Sequence, residues 1–348
     1  MSKNRYGKTS SSLIDIKSSF FEQDILHKEK HRNITQLYKQ QPDRDYCKNC
    51  NHLLSKEPDF IKLDIGYVLC IKCSHLNGLY DDTEEFCNAI YSEDETVDYG
   101  DNYKQDNIKD YNHRTSVIYI PKAEFLYDSI KSNNDEPSSL NYLDFGAGSG
   151  YFLSALKTIG LNNIKGIETS SSQVELGNKM LGKKMITQNH IDDNTRLLAE
   201  TDAEVISMIG VLEHLQNPRE VIKTICANSH IKYLYISVPT FSLSVFLEIN
   251  SSRAFHRQLT GGHTHLYTDQ SINYLATEFG FNILNQWWFG TDIVDLYRHI
   301  YISLLESGSS KKMIDLWEND FRPVIDNLQI EIDKKHFSSE VHVLLEKK

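Results

Sequence analysis

Residues 139–150 read SLNYLDFGAGSG, and the architecture of the chain follows from them. Leu140, Leu143 and Phe145 form a short apolar run that stops at Gly146, Gly148 and Gly150. A buried parallel strand entering a glycine loop has this pattern. Residues 151–159, YFLSALKTI, then carry apolar side chains at helical spacing. Strand, glycine turn and helix together make the first half of a nucleotide-binding βαβ unit. The glycines let the backbone turn tightly and approach a ligand where a Cβ would clash.

The spacing is G-x-G-x-G, with Asp144 two residues ahead of Gly146. A dinucleotide fold uses G-x-G-x-x-G and sets a pyrophosphate on the helix N-terminus. An acid at 144 would repel a pyrophosphate and would accept a hydrogen bond from a cationic amino-acid tail. The segment resembles motif I of the class I S-adenosylmethionine methyltransferases, which implies that Asp144, Gly146, Gly148 and Gly150 hold the methyl donor.

Downstream segments extend the resemblance in the same order as in that family. Residues 163–167, NIKGI, read as a second strand ending in Glu168, where an acid is placed to bind ribose hydroxyls. Met185 and Ile186 begin a weak third strand, with Asp192 and Asp193 after it. The family often meets the adenine amino group with an acid here, and Asp192 is the choice. Residues 203–209 form a fourth strand, followed by VLEHLQNP, which resembles the LEH-x-x-x-P segment of small-molecule methyltransferases. Glu213 and His214 thereby fall at the carboxyl end of a strand beside the first, the crevice where such sheets bind ligands, and Glu213 is counted with the residues that bind the methyl donor. Residues 240–262 are long and mixed, a substrate lid or pocket wall. The following HTHLYT resembles an H-x-x-x-[FY]-[ST] segment, with His263 as the matching residue and Thr268 as a helix N-cap. Residues 281–286 give a sixth strand, Trp287 and Trp288 follow, then apolar helical sequence runs to about Leu305, and residues 340–345 give a last strand, antiparallel in this family.

Ahead of this core lie Cys47-Lys-Asn-Cys50 and Cys70-Ile-Lys-Cys73. Two C-x2-C knuckles at this separation close a tetrahedral thiolate site for Zn2+, structural because four thiolates leave no open position. His52 and His75, just past the knuckles, are substitute ligands. The expected architecture is α/β: a Rossmann-like, seven-stranded class I methyltransferase sheet with helices on both faces. The boundaries are a helical arm over 1–46, a zinc ribbon over 47–80, a connector and helix over 81–138, and the methyltransferase domain over 139–348 with a helical insertion at 291–339. The arm's apolar positions are Ile16, Phe20, Phe21, Ile25, Leu26, Ile34, Leu37 and Tyr38. It packs on the body or on a second subunit, which leaves room for a homodimer. Tyr99, Tyr103 and Tyr111 are candidates to cover a ligand.

Lys and Arg number 37 against 48 Asp and Glu, a net charge of −11 that argues against nucleic acid or an anionic membrane as partner. No apolar run reaches a membrane span, and the first residues lack the apolar core of a secretory signal, so a cytoplasmic protein is expected. Zinc ribbons ahead of such a core resemble methyltransferases of deoxysugar and surface-polysaccharide pathways, which act on nucleotide-linked sugars. The sugar C-methyltransferases of that group carry a large extra C-terminal domain, and none of that size occurs here, which favours O-methylation. A base must then take the hydroxyl proton: His263 first, His214 and His265 behind it. The competing expectations are C-methylation of a deoxysugar, methylation of another small molecule, and a zinc-ribbon binding protein with a scaffold-like body.

Overall fold

A computed structural model describes residues 3–9, 14, 24–91, 107–260 and 262–348. Its strands in chain order are β1 (Lys3–Tyr6), β2 (Phe60–Lys62), β3 (Ile65–Leu69), β4 (Leu76–Gly78), β5 (Tyr142–Phe145), β6 (Ile164–Glu168), β7 (Ile186–Gln188), β8 (Val205–Ile209), β9 (Tyr233–Pro239), β10 (His265–Leu266), β11 (Phe281–Phe289) and β12 (Glu340–Lys347). Eight of them form one sheet in the order β1-β11-β12-β9-β8-β5-β6-β7. Only β12 runs antiparallel within it, between β9 and β11. The chain leaves β5 for β6 and β7 on one side, then returns through β8 on the other. Ligands bind such sheets at this reversal, outside the carboxyl ends of the central strands.

The strands form because their apolar runs are covered on both faces. One face carries Leu143, Phe145, Ile206, Met208 and Trp288 against Val221, Ile222, Ile225 and Ile272 of two helices, Pro218–Ala227 and Asp269–Glu278. The other carries Tyr142, Val205, Tyr235 and Trp287 against Phe125, Leu126, Phe152 and Leu156 of the helices Ile120–Ser132 and Tyr151–Thr158.

Four expectations change. The sheet has eight strands rather than seven: β1 adds parallel to the edge strand β11, so the N-terminal arm begins as a strand and not a helix. The helix Asp24–Lys39 follows, but Ile25 and Leu26 on it are exposed, while Ile34 and Tyr38 are buried. Ile16, Phe20, Phe21, Tyr99 and Tyr103 lie outside the described residues. The strand expected to end at Gln286 runs on through Trp287 and Trp288 to Phe289; alternation sends one tryptophan to each core, and both are fully buried. Finally, the ribbon sheet has the order β10-β4-β3-β2, so its fourth strand comes from the methyltransferase segment at His265–Leu266.

Within the ribbon, the β2–β3 hairpin turns at Leu63 and Asp64, both with positive φ. The helices Asp292–Glu306, Lys311–Phe321 and Ile325–Asp333 make up the insertion before β12. No described helix is long and apolar enough to cross a membrane.

Candidate active site

The glycine loop leaves β5 beside the carboxyl end of β8. Gly146 has φ +73°, and a Cβ there would lie 2.6 Å from Val211 Cγ2, so both conformation and space demand glycine. Gly148, also at positive φ, donates its N–H to Glu168 Oε2 at 2.8 Å. Glu168 Oε1 accepts from Thr169 N at 2.8 Å and Ser170 N at 3.0 Å. The acid at the end of β6 thus holds the loop's shape and keeps lone-pair capacity on Oε2. Gly150 is the left-handed N-cap of the helix Tyr151–Thr158. Asp144 is buried and accepts a 2.6 Å hydrogen bond from Ser207 Oγ on β8. Burial pushes its carboxyl up to about 7, with the nearby Glu168 charge adding to the rise. Asp192 lies exposed at the rim, in the 3-10 turn Ile191–Asp193 after β7.

A tyrosine stack flanks the loop. Tyr111 donates to Ser149 O at 3.0 Å, and its ring lies 4.3 Å from that of Tyr151, which stacks in turn on Tyr119 at 5.2 Å. Tyr111 is therefore buried against the loop and supports it.

Across the crevice, the 3-10 turn Leu212–His214 follows β8. Glu213, His214 and His263 each present a ligand-type atom there, all within 4.8 Å of one another. The imidazoles of His214 and His263 stack at 5.3 Å, and His214 Nε2 is 3.9 Å from Glu213 Oε1. Glu213 is buried, its Oε2 has no hydrogen-bond partner among the described residues, and burial pushes its carboxyl up to about 8. His263 Nδ1 lies 3.0 Å from Gln258 O. A carbonyl only accepts, so Nδ1 carries the hydrogen and Nε2 keeps the lone pair. Burial lowers His263 to about 4 and His214 well below the usual histidine range, which leaves both rings neutral at pH 7.

His265 does not join this cluster. It is fully buried on β10 with Nδ1 2.8 Å from His75 Nε2, a pair that joins the ribbon to the core. His75 is thereby removed as a substitute zinc ligand. The strand addition also explains how His263 is held. Thr264, between the two histidines, accepts at its carbonyl from Gly78 N at 2.8 Å and from Arg44 Nη1 at 3.2 Å. Arg44 is buried and paired with Asp82 at 2.8 Å. On the other side, the buried Glu248 accepts from the N–H groups of Arg257, Gln258 and Leu259 and so fixes the carbonyl that orients His263. None of Arg44, Asp82 or Glu248 carries a local sequence signal, because their partners lie far away or are backbone.

The four ribbon thiols converge. Cys47, Cys50, Cys70 and Cys73 are buried with all sulfurs within 4.8 Å of one another. The two knuckles repeat one geometry: Cys47 N donates to His52 O and Cys70 N to His75 O, both at 2.9 Å. Asn51 and Ser74 occupy the same left-handed position in each. Such a donor set fits a tetrahedral Zn2+.

Among solved structures, the methyltransferase domain of bacterial CtHen1 is similar at 14% identity, covering 66% of this chain and 97% of that one, TM-score 0.42. A SAM-dependent methyltransferase from Archaeoglobus fulgidus shares 15% identity over 65% of this chain and 94% of that one, TM-score 0.40. The plantazolicin methyltransferase BamL, solved with SAH and a triazolic analogue, shares 17% over 68% and 88%, TM-score 0.42. At these TM-scores the likenesses carry no argument. No curated protein matches the chain in sequence. Residues 111–286, just over half of the chain, match the family described as methyltransferase domain. That span holds the glycine loop, Glu168, Asp192, the Glu213–His214 turn and His263, and so the chain belongs to the methyltransferase-domain family and is an S-adenosylmethionine-dependent methyltransferase.

Proposed function

We propose that the protein O-methylates a sugar hydroxyl of a nucleotide-linked sugar in capsule or surface-polysaccharide biosynthesis. S-adenosylmethionine, when bound, supplies a methyl group already activated on sulfonium. The residues that would hold it are Asp144, the Gly146–Gly148–Gly150 loop, Glu168 and Asp192. They fit a donor with a cationic amino-acid tail, because Asp144 is a buried carboxyl whose charge a neighbouring cation would stabilise. Positioning of the acceptor is then the main task of the protein.

The observation that carries the reading is the neutral histidine pair beside a buried glutamate, opposite the glycine loop. A hydroxyl is a weak nucleophile until its proton leaves, and His263 Nε2 offers the lone pair that would receive it. The four-cysteine cluster supports a structural Zn2+ whose ribbon holds the His263 segment through β10. The test is transfer of tritiated methyl to a panel of nucleotide sugars. Labelled sugar is the expected product, and labelled macromolecule alone would reject the reading. His263→Ala should lose transfer at least about a hundredfold with unchanged affinity for the demethylated donor. Near-normal turnover would remove His263 from the chemistry.

A further inference from the structure

We infer that Glu213, His214 and His263 form a binding site for a first-row divalent metal ion at the acceptor position, separate from the four-thiolate site of the ribbon. The inference rests on the methyl-donor part of the reading above and replaces its histidine base with a metal-bound acceptor hydroxyl. Two imidazoles and one carboxylate present donor atoms within 4.8 Å of one another. Two histidines with one carboxylate, plus open positions, make up a common catalytic donor set for such ions.

Two further observations point to an ion. Glu213 Oε2 is buried without a hydrogen-bond partner among the described residues, an arrangement that is costly unless something binds there. His263 Nδ1 is tied to Gln258 O, the outer contact that typically orients a ligating imidazole and leaves Nε2 for a metal. Bonds of about 2.0–2.2 Å bring neighbouring ligands closer than the present spread. The cluster must tighten on loading, which rotation of the partly exposed His214 and His263 side chains allows.

With the ion on Nε2, His263 holds metal rather than the proton. The acceptor hydroxyl binds an open position, where the ion's charge lowers its pKa. Its proton passes to solvent water, its oxygen forms the new O–C bond, and the breaking C–S bond leaves its electron pair on sulfur. The demethylated donor and a methyl ether result.

The test uses the full chain with zinc on the thiols and Mn2+ as probe, since thiolates favour zinc over this harder ion. Titration followed by electron paramagnetic resonance should show one bound Mn2+ per chain. Glu213→Gln and His263→Ala should each weaken it at least tenfold, with affinity for the demethylated donor retained as the check on folding. Pulsed measurements on the unmodified chain should show imidazole nitrogen coupling to Mn2+, a readout independent of any variant. Absence of bound Mn2+, absence of nitrogen coupling, or affinity in both variants unchanged from the unmodified chain would overturn the site. Donor binding without Mn2+ binding removes the metal alone, whereas Mn2+ binding without donor binding leaves the ion site and removes the methyl-donor reading.

Discussion

Asp144, proposed to bind the methyl donor, is held against the stability of the fold. Its carboxyl is buried against Ser207 and pushed up to about 7, above the value of about 3.9 in an unfolded chain. The folded state therefore binds more protons across that window. Stability falls as pH rises through it and is lowest above 7. Asp144→Asn keeps an acceptor for Ser207 and removes the charge. It should raise the melting temperature at pH 8, by the equivalent of about 1–4 kcal/mol, with the gain shrinking towards pH 4. Donor affinity should fall at least about tenfold. Thermal scans at the two pH values, paired with calorimetry, check both signs. Gly146 makes the opposite case, a residue whose replacement harms both properties. A methyl group at 2.6 Å from Val211 Cγ2, at positive φ, should cost about 1–3 kcal/mol in urea titration. Because Val211 leads directly into the Leu212–His214 turn, the same change should lower turnover as well as donor affinity.

Among the elements, the ribbon and the core are coupled by β10. Its two residues pair with β4, and Arg44, Asp82 and Gly78 clamp Thr264 beside His263. Removing the zinc proposed for the four thiols should therefore act on the proposed acceptor side. Chelation is expected to lower turnover by about tenfold or more while donor affinity moves less than about twofold. Parallel measurement of methyl transfer and of calorimetric binding separates the two, and an equal loss in both would place the ribbon elsewhere in the mechanism. The strands themselves were legible from residues such as Leu143, Phe145, Ile206 and Ile236, whose apolar runs admit few alternatives. The length of β11 was not. Trp287 and Trp288 suit helix or strand equally by composition, and only two cores, one on each face, decide for the strand.

For the molecule as a whole, β1 closes an edge that the core would otherwise expose. It pairs with β11 over Lys3–Tyr6, Arg5 sits 4.0 Å over Trp287, and Trp287 Nε1 donates to Gly7 O at 2.9 Å. Removal of residues 1–9 should cost about 1–3 kcal/mol and promote association through the bared strand. Donor affinity should persist, since the glycine loop lies at the far side of the sheet from β11. Urea denaturation with light scattering checks the first outcome and calorimetry the second.

The sequence by itself determined the α/β core, the glycine loop with its leading acid, the cysteine knuckles and the candidate set Asp144, Glu168, Glu213, His214 and His263. Each is local, a matter of period, turn chemistry or spacing within a few residues. The tertiary structure alone decided that β1 joins the sheet and that β10 joins the ribbon. It also separated His263, beside Glu213 and His214, from His265, paired with His75. Those outcomes depend on hydrogen-bonding partners and packing surfaces brought together from distant parts of the chain. Two histidines two residues apart look alike in sequence, but a short strand sends them into different surroundings.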